Sequence, residues 1–125
     1  MVQGAKQATA KGAASLPKAV DDCRELIKWV VGQLDKFPRQ RRFTLGDRIE
    51  TRLLDVMENL LTAAFSRDKA AALERANSAL NVSNQLWRIS FELQSISIKS
   101  YEHGARLMLG LGGQIGGWRR SEKAA

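Results

Sequence analysis

The sequence predicts an all-α fold, an up-down-up-down bundle of four helices. Three observations carry this expectation. Four stretches have apolar residues recurring at intervals of three and four, the connections between them are short, and no stretch shows the two-residue alternation of a half-buried strand. No internal repeat is present.

Residues 1–15 (MVQGAKQATAKGAAS) hold almost no large apolar side chain. Such a segment cannot offset its ordering entropy, so it reads as a flexible basic tail ahead of a bundle domain over 16–120, with 121–125 as a C-terminal tail.

The first helix is expected from about Pro17 to Lys36, with Ser15 as cap and Asp21, Asp22 and Glu25 near the positive end of its dipole. Val20, Cys23, Ile27, Val30, Val31 and Leu34 form its apolar stripe, and Pro38 ends it. The loop Phe37 to Phe43 (FPRQRRF) sets three Arg between two Phe. Thr44 is expected to cap a second helix reaching about Ser66, with Asp47 completing a capping-box-like arrangement and Ile49, Leu53, Val56, Met57, Leu60, Leu61 and Ala64 on its core face.

Asp68 is the expected cap of a third helix running to about Ser95, with Leu73, Ala76, Leu80, Ser83, Leu86, Ile89, Ser90 and Leu93 at helical spacing. Its outer face is poor in charge. Between Arg75 and Lys99 only Arg88 and Glu92 are charged, and the other polar positions are neutral Asn, Ser and Gln. A solvated helix carries more charge, so another chain is expected to cover this face, with Asn81, Asn84, Trp87 and Arg88 as its contact residues. The alternatives are an ordinary face with Trp87 packed inward and Arg88 paired to Glu92 four residues on. The fourth helix is placed from about Ser100 to Trp118, with Tyr101, Ala105, Met108, Leu109, Gly112 and Ile115 inward. Its six glycines, each costing about 1 kcal/mol relative to Ala, imply either close approach to a neighbouring helix or fraying after Leu111.

Length and composition bound the function. The 125 residues suffice for one domain, and 20 Lys and Arg against 13 Asp and Glu leave a formal charge of +7. That excess serves solubility or attracts polyanions with release of their counterions. The lone Cys23 suits a reducing compartment, and neither a signal-peptide core nor a membrane-length apolar run is seen, so a cytoplasmic protein without membrane attachment is expected.

No residue set points to catalysis, and no cofactor is expected. His103 is the only histidine and has no cysteine near it in sequence, which disfavours zinc. Cys23 sits on an apolar stripe without an activating base. The terminal GLGGQIGGW follows a helical pattern and lacks the GK[ST] of a phosphate-binding loop. The better candidate is a nucleic-acid-binding cluster of Arg39, Arg41 and Arg42 with Arg48 and Arg52, joined by the C-terminal Arg119 and Arg120, because the planar guanidinium suits phosphate. Phe37 and Phe43 either stack bases there or close the end of the core.

Four phrases in their order and spacing carry a family resemblance: FPRQRRFTLGDRIE (Phe37 to Glu50), LLTAAFSRDK (Leu60 to Lys69), ALERAN ending at Asn77, and IGGW (Ile115 to Trp118). Over about Leu16 to Arg120 the chain resembles the accessory variability determinant proteins of diversity-generating retroelements. The resemblance implies a four-helix bundle assembled as a barrel-like homopentamer with a positive surface. It further implies binding to the retroelement's reverse transcriptase and to RNA or DNA, in support of mutagenic retrohoming, with no catalytic activity of its own. The sequence departs from the family at Gly110, where many members carry an acidic residue. A related bundle encoded within ribosomal-RNA intervening sequences, without a polymerase partner, is the alternative.

Overall fold

The computed structural model describes residues 16–124, so the expected N-terminal tail lies outside the described residues. Four long helices make up the fold: α1 (Lys18–Leu34), α2 (Asp47–Phe65), α3 (Ala70–Glu92) and α4 (Ile98–Ala124). No strand occurs among the described residues. Each helix packs on the next in sequence, and α1 closes the ring against α4. With short connections, consecutive helices run antiparallel. One end of the bundle therefore holds the α1–α2 and α3–α4 connections, and the other holds the α2–α3 connection and the C-terminus.

The stripes read from sequence supply the core. Val20, Cys23, Val30, Leu34, Ile49, Leu53, Val56, Leu60, Leu73, Ala76, Met108 and Ile115 are buried. Burying a large apolar side chain contributes about 1.5–3 kcal/mol, so these rows hold the helices together. Leu26 and Leu111, absent from the expected stripes, are buried as well. Ile89, Leu93 and Leu109, expected inward, are exposed at 40%, 47% and 76%. They flank the buried arc of their helices, where three-and-four spacing does not separate core from rim. Among the described residues, no helix is long and apolar enough to cross a membrane.

The α1–α2 connection is shorter than its sequence suggests. Pro38, with φ −55° and ψ 144°, leads directly into a helical turn at Arg39–Arg41. A π-helical turn, Arg42–Gly46, then merges into α2. Thr44 is thus inside the helix rather than its cap: its hydroxyl donates to the carbonyls of Gln40 (3.2 Å) and Arg41 (3.4 Å). Asp68 does not cap α3 either, since Lys69 occupies that position. The Lys69 ammonium instead donates to the carbonyls of Ala63 (2.7 Å) and Ser66 (2.9 Å), closing the end of α2.

α3 stops at Glu92, earlier than expected, because Gln94 takes a left-handed conformation (φ 62°). The amides of Gln94 and Ser95 then return to the carbonyls of Phe91 and Ser90 in a Schellman arrangement. The Ser97 hydroxyl accepts from the Ser100 amide (3.1 Å) and so caps α4 at its start. α4 does not fray after Leu111 and passes the expected end at Trp118 to reach Ala124, so 121–124 is helix and not tail. Close approach explains one of its glycines: a Cβ on Gly104 would lie 2.5 Å from Trp87 Nε1, whereas Gly110 and Gly113 have nothing within 4 Å.

Candidate nucleic-acid and partner surfaces

The arginines named from sequence do not form one patch. Arg39, Arg41, Arg42 and Arg48 gather where α1 hands over to α2, while Arg119 and Arg120 lie near the far end of α4, beside the start of α3. About 20 residues of α4 separate the two ends, or roughly 30 Å.

Within the first group the roles differ. Arg42 is a clamp rather than a free cation. Its guanidinium meets Asp47 (3.1 Å), Glu50 (3.4 Å) and Asp35 (3.7 Å), and its side chain is only 21% exposed. It also covers the buried Gly46, where a Cβ would stand 3.3 Å from Arg42 Nη1. The reason is the π-helical turn, which swings Arg42 back over the carboxylates at the α1 terminus and the first turn of α2. Arg39 and Arg48 are exposed and Arg41 is half-buried, and among the described residues none of the three lies within 4 Å of a carboxylate. Arg48 shares a shallow cleft with Phe43, whose ring is 66% exposed, while Phe37 is buried and closes the core.

Of the other arginines named from sequence, Arg52 and Arg119 are less available. Arg52 pairs with Asp55 at 3.3 Å, and Arg119 reaches Glu74 at 3.7 Å. Arg120 is exposed.

The expected contact residues of α3 divide in the same way. Trp87 is fully buried in the chain's own core, and its indole N–H donates to the Tyr101 carbonyl at 3.0 Å. It therefore does not stand on the outer face. Ala79, Ser83 and Ser90 share its arc, so its position on the helix, not its polarity, decides its fate. Arg88 is exposed and pairs with Glu92 at 3.4 Å, the four-residue pair that was the alternative.

Asn81 and Asn84 line a cleft of about 290 Å³ between α3 and α4, together with Leu109 and Gly113. Among the described residues no charged side chain lines it. On the opposite flank of α3, Val82, Ile89 and Leu93 are exposed.

A further set was missed. Lys99, His103 and Arg106 recur at intervals of four and three on α4 and face Trp29 of α1 and Lys36, two residues past its end. The spacing was available in the sequence, but Trp29 fell off the α1 stripe and the set contains no run of charge.

Two side chains are shifted in their ionisation. Burial pushes the Cys23 thiol up to about 12, which keeps it an inert hydrophobe. The Asp22 carboxyl is held below the usual range, first by its hydrogen bond from Lys18 and then by one from Gln114. Among the described residues, no cluster of His, Cys, Asp and Glu could hold a metal ion.

A family model described as bAvd-like matches residues 18–122, which is all four helices except the last two residues of α4. Comparison with curated proteins finds no match.

Proposed function

Since the chain belongs to the bAvd-like family, we propose that it is a non-catalytic accessory protein of a diversity-generating retroelement, binding the element's reverse transcriptase and nucleic acid and assembling with copies of itself. The observation that carries this proposal is the segregation of its surface. Cations without a carboxylate partner gather at the α1–α2 turn, while the α3–α4 cleft is lined by neutral and apolar groups alone. The first surface suits phosphate, and the second suits a protein partner, whose contact core is depleted in charge. Arg39, Arg41 and Arg48 are the phosphate contacts. Asn81, Asn84 and the exposed Leu109 belong to the protein contact, with Arg88 at its edge.

Self-assembly would multiply the weak basic surface. Five chains of +7 each carry about +35, which strengthens polyanion binding through avidity. The test is size-exclusion chromatography with light scattering, on the protein alone and mixed with the reverse transcriptase of the proposed retroelement. A species of about 70 kDa, five chains of 13.9 kDa, that co-elutes with the polymerase is expected. A pentamer that ignores the polymerase would move the protein to the ribosomal-RNA-associated type of bundle. A monomer would remove both self-assembly and the neutral cleft as a subunit contact.

A further inference from the structure

A second cationic surface lies on the other side of α4, in the groove it forms with α1. Trp29 is half-buried and edge-on to two rings: His103 at 4.6 Å between centroids and the buried Trp87 at 5.9 Å. Because Trp87 is locked in the core, Trp29 is held in place from behind. Beside it opens a cleft of about 360 Å³ bordered by Lys36, Lys99 and Arg106. Among the described residues no carboxylate lines this cleft, and none of the three cations lies within 4 Å of one.

The lower continuation of the groove differs. It shares Trp29, His103 and Arg106 with the upper cleft and adds Asp22 and Glu25, already paired to Lys18 (2.7 Å) and Lys28 (3.2 Å). The groove thus passes from compensated charge at one end to uncompensated positive charge at the other.

A concave site of one sign concentrates its field. Cations that track a backbone beside an aromatic platform are what single-stranded nucleic acid requires, and an unpaired base is needed because a base within a duplex cannot reach the ring. Lys99 and Arg106, seven residues apart on one face of α4, span about 10 Å, enough to engage more than one phosphate of a strand.

We propose that the upper α1–α4 cleft is a single-strand subsite, in which a base lies against Trp29 and His103 while the flanking phosphates meet Lys36, Lys99 and Arg106. It rests on the nucleic-acid function proposed above and places the reading of unpaired bases here, apart from the arginines of the α1–α2 turn.

The test is fluorescence anisotropy of a labelled single-stranded RNA of about 15 nucleotides with the full chain, across roughly 50–200 mM salt. Lys36→Gln with Lys99→Gln, both at exposed positions, is expected to weaken binding about tenfold and to lower the salt slope by about 1.4. Trp29→Leu is expected to remove the preference for this RNA over an abasic strand of equal length, and Trp29→Phe to restore it in part. Circular dichroism checks the fold of each variant.

Retained affinity in the Lys36/Lys99 variant, with loss in Arg39→Gln/Arg41→Gln, would overturn the cleft while leaving nucleic-acid binding at the turn. Tighter binding of a duplex than of the single strand would overturn it as well. No binding by the unaltered chain would remove the nucleic-acid function and the cleft together.

Discussion

Replacing Gly104 by Ala tests how closely α4 is seated on α3. In an exposed helix interior this change stabilises by about 1 kcal/mol, since Ala is the better helix former. Here the new Cβ would stand 2.5 Å from Trp87 Nε1, 2.6 Å from Cε2 and 2.8 Å from Cζ2. Ordinary contact needs about 3.5 Å or more, so the indole must retreat by about 1 Å. It has little room, because Trp87 is fully buried and packs edge-on with Trp29. The retreat also pulls the indole N–H from the Tyr101 carbonyl, now 3.0 Å away. Overpacking of this kind costs about 1–3 kcal/mol, and a buried donor left unpaired costs about as much again. The propensity gain offsets only part, leaving a net loss of about 2–4 kcal/mol. Urea unfolding at one fixed protein concentration measures it, with an expected fall in midpoint of about 1–2 M. Gly110→Ala is the internal control: nothing lies within 4 Å of its Cβ, so the same change is expected to stabilise by up to about 1 kcal/mol. A Gly104→Ala variant as stable as the Gly110→Ala variant would refute the close approach.

Two further outcomes follow from the charged groups. Arg42→Ala leaves Asp35, Asp47 and Glu50 without their shared partner and is expected to destabilise the bundle by about 1 kcal/mol in the same urea assay; an unchanged midpoint would return Arg42 to the pool of free cations. Asp22 has its folded-state pKa below the ordinary 3.8, so it binds protons more weakly in the folded chain than in the unfolded one. Its contribution is therefore complete above the ordinary value and is lost as pH falls through the lowered one. Asp22→Asn should flatten the acid limb of a stability-versus-pH curve below about pH 4, and an unaltered limb would show that the Lys18 and Gln114 contacts carry no net stabilisation.

The helices and most of their inward rows were legible because burial at the centre of an apolar stripe depends on the 3.6-residue period alone. Legibility fell off at the flanks. Ile89 and Leu109 meet the spacing rule yet lie on the rim, and Trp87 fails the stripe by eye yet occupies its centre, beside Ser83 and Ser90. Small residues there make room for the indole, and Gly104 supplies the rest of the space from α4. A stripe drawn from large apolar residues misses a pocket built by one large ring and several small neighbours.

Charge was the harder property to read, because the sequence shows how many cations exist but not which are spent. Three arginines in FPRQRRF look equivalent, and the π-helical turn makes them unequal by rotating Arg42 over three carboxylates while leaving Arg39 exposed. Those carboxylates, Asp35, Asp47 and Glu50, are seven, five and eight residues from Arg42 rather than three or four, so no helical pairing rule points to them. The converse holds in the α1–α4 groove. Lys36 lies far in sequence from Lys99 and Arg106, which share one face of α4, yet the antiparallel closure of α1 on α4 sets all three around one aromatic edge. A polyanion responds to cations that remain uncompensated after folding, so the groove weighs more in the electrostatics of binding than its three scattered residues suggest.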